Sequence, residues 1–226
     1  MVKLNNEIRI LELTEPNFFG TVLNHNLTVT KGPGGGLMLI DTGLPGYLDE
    51  IERYLKSWSY SLEDISDIVL THSHPDHSGN AQEIKKISKA KIYAHKLEKF
   101  DNQKFQIQYD QVKQEFNVNE KEFAETMKRI NNLEYEIPKI DFYLEGGETI
   151  GNFKVIHVPG HTPGHIALYD GKVVIAGDSV RYYKGLKPPL RFFCWNYEKA
   201  VNSFNILINL PFSFFVPYHG EVITPW

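Results

Sequence analysis

Cysteine is almost absent: Cys194 is the only one in 226 residues. No internal disulfide can form, and a closed zinc site built from thiolates is excluded. No stretch reaches the ~18 consecutive apolar residues of a membrane span, and the opening Met1-Val2-Lys3-Leu4-Asn5-Asn6-Glu7 carries no apolar signal core. A basic excess is missing too. The net charge is −4 and the pI about 6.1, which argues against a protein that wraps nucleic acid. The expectation is a soluble cytoplasmic protein with a small-molecule substrate as its partner and neither a membrane nor a nucleic acid; a homodimer is compatible with it. A hydrophobic content of 42% can fill a sizeable core, and residues 1–226 are read as one domain.

Histidine is what the chain has, and it is concentrated. Thr71 to Asn80 reads Thr-His-Ser-His-Pro-Asp-His-Ser-Gly-Asn, with His72, His74, Asp76 and His77 inside six positions. The apolar run Ile68-Val69-Leu70 before it reads as a buried strand and the pattern after it as a helix, so these side chains sit on a strand-to-helix loop. Imidazole and carboxylate are the donors a borderline divalent ion such as zinc prefers, and without cysteines an open catalytic site is favoured over a closed structural one.

The rest of the chain supplies the scaffold. Strands are expected at Glu7 to Leu13, Thr21 to Lys31 and Leu37 to Ile40, with turn material at Gly32 to Gly36. Asp41-Thr42-Gly43 resembles the triplet of aspartic proteases, but no second copy exists, so Asp41 is read as a brace for the histidine loop. Leu48, Ile51, Leu55 and Trp58 recur at helical spacing, as do Ala81, Ile84 and Ile87 before a strand at Lys91 to Ala94. Strand and helix alternate, which predicts a layered α/β fold. Lys96 to Lys139 is charged and Asn/Gln-rich and reads as a helical insertion, with Phe123, Met127, Ile130 and Leu133 on one face and Asn119 and Glu122 as a capping box. It is either a lid over the site or a surface cover.

Sheet structure resumes at Phe142 to Leu144 and Phe153 to Val158, which runs into His161-Thr162-Pro163-Gly164-His165. A hairpin turning at Asp170-Gly171 ends in Gly177-Asp178, a helix covers Tyr197 to Leu207, and a strand at Phe214 to Val216 delivers His219. All of His72, His74, Asp76, His77, His161, Asp178 and His219 therefore lie just past the carboxyl ends of strands, where α/β layers build ligand sites. His25, His95 and His157 stand singly near strands and are read as structural.

The H-x-H-x-D-H run at 72–77, the lone His161 after a strand, Gly177-Asp178 and the late His219 resemble the metallo-beta-lactamase superfamily. From His77 to His161 is 84 positions, from His161 to Asp178 is 17, and from Asp178 to His219 is 41. The resemblance implies an αββα sandwich of four layers. It also implies two divalent ions, zinc first with iron or manganese as alternatives: His72, His74 and His161 on one, Asp76, His77 and His219 on the other, and Asp178 bridging. Two such ions would turn a shared water into hydroxide, so hydrolysis is the expected reaction, with Asp76 orienting the nucleophile and passing its proton to the leaving group. The Thr-Pro-Gly-His at His165 is similar to glyoxalase-II-like and lactonase-like members, where it supports a ligand and does not itself bind metal.

A lactone, thioester or carboxylic ester is the expected substrate. A phosphodiesterase and a mononuclear iron persulfide dioxygenase are the alternatives. Glyoxalase II enzymes carry a helical glutathione-binding domain after the last metal histidine, whereas seven residues follow His219, so a full glyoxalase II is not expected. Lactonase-like members place a tyrosine shortly after the bridging aspartate, and Tyr182 is the candidate to hydrogen-bond the substrate carbonyl. Arg181, Lys184, Lys187 and Arg191, mixed with aromatics, would suit an apolar substrate body beside a negative or strongly polar group.

Overall fold

The computed structural model describes residues 2–5, 7–101 and 104–224. Seven strands form the first sheet in chain order: β1 (Val2–Lys3), β2 (Arg9–Phe18), β3 (Thr21–Lys31), β4 (Leu37–Ile40), β5 (Ile65–Val69), β6 (Lys91–His95) and β7 (Phe142–Leu144). The hairpin strands β2, β3 and β4 are antiparallel, and β4 to β7 run parallel. The parallel part needs crossovers: helix α1 (Leu48–Ser57) lies between β4 and β5, helices α2 (Pro75–Ser78) and α3 (Ala81–Ser88) lie between β5 and β6, and the insertion connects β6 to β7.

The second half continues with β8 (Thr149–Ile150), β9 (Phe153–His157), β10 (Ile166–Tyr169) and β11 (Val173–Gly177), a two-stranded hairpin β12 (Arg181–Tyr182) and β13 (Leu186–Lys187), and β14 (Phe214–Pro217). The second sheet has the order β14-β11-β10-β9-β8. Helices α4 (Tyr109–Val112) and α5 (Glu120–Asn131) precede it, and α6 (Tyr197–Ile208) lies between β13 and β14.

Strands buried on both faces need apolar residues at every position, and β4 and β11 have them. One face of the first sheet (Leu11, Leu27, Leu39, Ile68) packs on Ile51 and Leu55 of α1 and Ile84 of α3. Its other face (Ile10, Met38, Ile40, Val69) meets Phe153, Val155, Leu168 and Ile175 of the second sheet. The outer face of the second sheet (Ala167, Val174, Phe215) is covered by Leu207 and Phe204 of α6. The layers run helix, sheet, sheet, helix, the αββα order that the resemblance implied. No helix among the described residues is long and apolar enough to cross a membrane.

The insertion is less helical than its spacing predicted. Among the described residues between 96 and 139, only α4 and α5 are α-helical. Asn119 caps α5 as expected, its Oδ1 accepting from Glu122 N at 3.0 Å while Glu122 accepts from Asn119 N. The helix stops at Asn131, so Leu133 is not on its face. Apolar residues of the insertion (Ile107, Val112, Phe116, Val118, Phe123, Met127) close with Phe18 and Phe19 from the β2–β3 turn into a separate aromatic cluster.

Candidate metal centre

The histidine loop leaves β5 and enters α2, where Pro75 occupies the first turn and needs no hydrogen-bond donor. Asp41, just past β4 and held at φ +61°, braces it as expected. Its carboxylate accepts from Thr71 N and Thr71 Oγ1, both at 2.8 Å, and from His77 Nδ1 at 2.8 Å. That last bond fixes the proton on Nδ1 and leaves Nε2 of His77 turned inward. The loop is tied down further by Thr42, whose N–H and hydroxyl both donate to His77 O, and by Tyr218, whose hydroxyl donates to Asp76 O.

His161 follows β9 through Gly160, a position at φ +138° where a Cβ would lie 2.1 Å from Ala200 N. Only glycine lets α6 approach this closely, and the contact fixes the loop: Asn196 N donates to Gly160 O and Trp195 N to His161 O, both at 2.9 Å. Asp178 ends β11. Its backbone N–H donates to His165 Nε2 at 3.0 Å, and the other ring nitrogen of His165 meets Ser179 Oγ at 3.0 Å, so His165 holds the backbone at Asp178 in place. His219 follows β14 and gives its Nδ1 proton to Asn24 O at 2.8 Å.

These loops bring all seven expected ligands together, in two groups. Donor atoms of His72, His74, His161 and Asp178 lie within 4.8 Å of one another, as do those of Asp76, His77, Asp178 and His219. Asp178 belongs to both. His161 Nε2 is 3.0 Å from His74 Nδ1 and 3.4 Å from Asp178 Oδ2. On the other side Asp178 Oδ1 is 3.3 Å from His77 Nε2 and 3.5 Å from His219 Nε2, and Asp76 Oδ2 is 3.5 and 3.3 Å from the same two atoms.

Electrostatics divides the two groups. Burial holds His72 well below the ordinary imidazole range, helped by His77 and His74, and takes His161 down to about 3, with His74 adding to the effect. These rings are neutral donors. Burial works the same way on His77 and His219 but is outweighed, at His77 by Asp41, Asp76 and Asp178, and at His219 by Asp178 and Asp76. Burial would raise Asp76 and Asp178, yet the surrounding histidines hold both carboxyls below the usual range. Buried His72 Nε2, His77 Nε2 and Asp178 Oδ1 have no hydrogen-bond partner. Unsatisfied buried donors and acceptors are costly in a folded protein, and cations seated in the two clusters would satisfy all three.

Three residues stand otherwise than the sequence reading has them. His25, set aside as structural, is buried against the ring of His219 (4.9 Å between centroids), with Nδ1 3.9 Å from Asp76 Oδ2 and Nε2 3.4 Å from Glu15 Oε2. Its signal was its place between Asn24 and Asn26, which bind the β14 loop through Gly220 O and Pro217 O. Glu98, just past β6, accepts from Ser73 N at 2.8 Å, Thr162 Oγ1 at 2.6 Å and Gly164 N at 2.8 Å, and so joins the two histidine loops. Arg181, expected to be free for a negative group, has its Nη2 3.0 Å from Glu115 Oε2. His95 and His157 are structural as read: their rings stack at 4.1 Å and each bonds a backbone carbonyl.

A cavity of about 430 Å³ opens over the donors. Asp76, His161, Asp178 and His219 line it together with Tyr182, whose backbone N–H donates to His219 O at 3.0 Å. Phe105, Phe116, Ile130 and Leu133 of the insertion form part of its wall, so the insertion borders the site as well as covering the β2–β3 turn.

Comparison with known proteins agrees with this geometry. Residues 20–219 match the model of the metallo-beta-lactamase superfamily. The chain is similar to the uncharacterized protein YobT of Bacillus subtilis, at 28% identity over 82% of this chain and 78% of that one. It is similar to the hydroxyacylglutathione hydrolase GloC of Haemophilus influenzae, at 30% identity over 70% and 68%. Among solved structures, the metallo-beta-lactamase family protein TTHA1429 of Thermus thermophilus superposes with a TM-score of 0.73 at 21% identity, covering 98% of this chain and 76% of that one. The chain belongs to the metallo-beta-lactamase superfamily and is a metallo-hydrolase with a His/Asp cluster arranged to bind metal.

Proposed function

We propose that this protein hydrolyses a lactone, thioester or carboxylic ester at a pair of divalent cations, zinc in preference to iron or manganese because imidazole donors dominate. The observation that carries the reading is the sharing of Asp178 between two donor clusters in which His72 Nε2, His77 Nε2 and Asp178 Oδ1 lack hydrogen-bond partners. His72, His74 and His161 would hold one cation, Asp76, His77 and His219 the other, and Asp178 both. The chemistry such a pair supplies when bound is polarisation of the scissile carbonyl and a water made nucleophilic near neutral pH.

The chain's own groups do the rest. Asp76 lines the open cavity with its carboxyl held ionised by His77 and His219, so Oδ2 can orient the attacking water and carry its proton to the leaving group. Tyr182 stands in the wall beside the His219 loop, which supports it as the group that offers a hydroxyl to the substrate carbonyl. Hydroxyacylglutathione, named for the Haemophilus relative, is itself a thioester, which supports acyl transfer to water as the reaction class.

Elemental analysis of zinc-reconstituted protein, run with a lactone, a thioester and a bis-aryl phosphodiester, tests the reading. Two ions per chain are expected, with kcat/KM for an acyl substrate at least about tenfold above the phosphodiester, or ~1.4 kcal/mol in transition-state stabilisation. One ion per chain sinks the pair. A phosphodiester preference sinks the acyl assignment.

A further inference from the structure

The cavity has an unusual charge inventory for a site that must recognise a substrate. Among the described residues lining it, Arg181 is the one Lys or Arg side chain. That guanidinium is already engaged twice: Nη2 meets Glu115 Oε2 at 3.0 Å and Nε donates to Pro188 O at 3.0 Å. Along the loop Lys184 lies over the ring of Tyr183 and Arg191 over that of Tyr197, and neither Lys184 nor Arg191 is among the residues that line the cavity. A substrate anion in this cavity would meet the carboxylate of Glu115 and no free cation beyond the metal donors. Moving a carboxylate out of water without a partner is strongly unfavourable.

The remaining walls are apolar and hold one another in place. Phe105 lies edge-on to the ring of His74 at 5.1 Å, so the apolar surface begins at a metal donor. Phe193 packs on Phe105 at 5.3 Å and on Phe18 at 6.1 Å, and Phe18 packs on Phe116 at 5.9 Å. These four rings come from three separate stretches, the β2–β3 turn, the insertion and the loop after β13, and each touches the cavity. A wall of interlocked rings is preformed and does not collapse into the space it encloses.

We propose that the acyl substrate is uncharged and apolar beyond the bond that is cut, with an alkyl or aryl body seated against these rings, and that the Glu115–Arg181 pair excludes anionic substrates. The inference rests on the hydrolase reading above. It separates this site from one built for a glutathione thioester, whose tripeptide carries two carboxylates.

The test is a chain-length series of p-nitrophenyl esters, acetate to octanoate, on zinc-loaded enzyme, with the mono-p-nitrophenyl ester of adipic acid as the carboxylate-ended partner of the hexanoate. kcat/KM should rise about three- to fourfold per methylene and fall at least about tenfold for the adipate. A flat length profile, or an adipate as good as the hexanoate, overturns the proposal while leaving a hydrolase. Calorimetry with the unreactive hexanamide, octanamide and adipic acid monoamide separates the two readings. Amides that tighten with length and reject the carboxylate, in an enzyme that cuts no ester, uphold the apolar site and sink the hydrolase reading. Amides without length dependence overturn the proposal. Glu115→Gln should raise the adipate-to-hexanoate rate ratio at least about fivefold by freeing Arg181; an unchanged ratio overturns the role of the pair.

Discussion

Oδ2 of Asp41 lies 2.8 Å from Nδ1 of His77, and the two belong to loops that follow neighbouring parallel strands. The contact sets which nitrogen of His77 faces Asp178. Asp41→Asn keeps the size of the side chain but removes the anion that holds the Nδ1 proton. The expected result is a ten- to hundredfold loss of affinity at the cation held by His77, Asp76 and His219, with a smaller change at the other. Competition with a chelator of graded strength reads both steps, and equal weakening of the two would show that Asp41 does not act through His77.

Glu98 accepts three hydrogen bonds while buried, two of them from the loop of His161 and one from the loop of His74. Glu98→Ala leaves Ser73 N, Thr162 Oγ1 and Gly164 N without their acceptor, at a cost of about 2–4 kcal/mol. A lower denaturation midpoint together with weaker binding at the His72, His74 and His161 cluster is expected. A midpoint within error of the parent would mean that water replaces the carboxylate.

Gly160→Ala tests close packing away from the donors. The new Cβ would meet Ala200 N at 2.1 Å in a backbone conformation at φ +138°. Either α6 or the His161 loop must shift, and a destabilisation of about 2–4 kcal/mol is expected in urea unfolding. Unchanged stability would show that α6 is free to move outward.

Asp141 gives a pH-dependent term with a definite sign. Its Oδ2 accepts from Lys85 Nζ at 2.6 Å and from Ile92 N at 2.8 Å. Partial burial would raise its pKa, but these two bonds hold it below the ordinary carboxylate range. A depressed folded-state pKa stabilises above the unfolded value near 4 and ceases to do so as acid protonates the folded carboxylate. Asp141→Asn should cost about 1 kcal/mol at pH 7 after screening by solvent, and the gap to the parent should close as acid protonates the folded carboxylate. A gap that widens in acid would reverse the assignment.

The metal loops were legible because donor chemistry and strand ends are both local. Apolar runs such as Leu37–Ile40 and Thr21–Lys31 form strands with the limits expected of them, and each donor follows at the expected edge. Asn119 and Glu122 mark the start of α5 for the same reason, since a cap is written within four residues. What the chain does not announce is partnership at long range. Glu98 reads as one charge among many in a polar insertion until Thr162, 64 residues on, is found beside it. Arg181 reads as a free cation because Glu115 lies 66 residues before it. His25 looks solitary until β3 is paired with the loop of β14. The helical expectation for the whole of 96–139 failed because its apolar residues answer to Phe18 and Phe19, and packing against those rings does not require a helical period.

The donors are divided between the two sheets: His72, His74, Asp76 and His77 follow a strand of the first, and His161, Asp178 and His219 follow strands of the second. Neither half of the chain holds a complete set for either cluster. A cation seated there would therefore act as a rivet through the sandwich, and metal loading becomes a reporter of sheet docking. A chain whose two sheets have formed but not yet met would bind metal only weakly, and stripping the ions from the finished protein should loosen the seam between the sheets before it disturbs the hydrogen bonds within either.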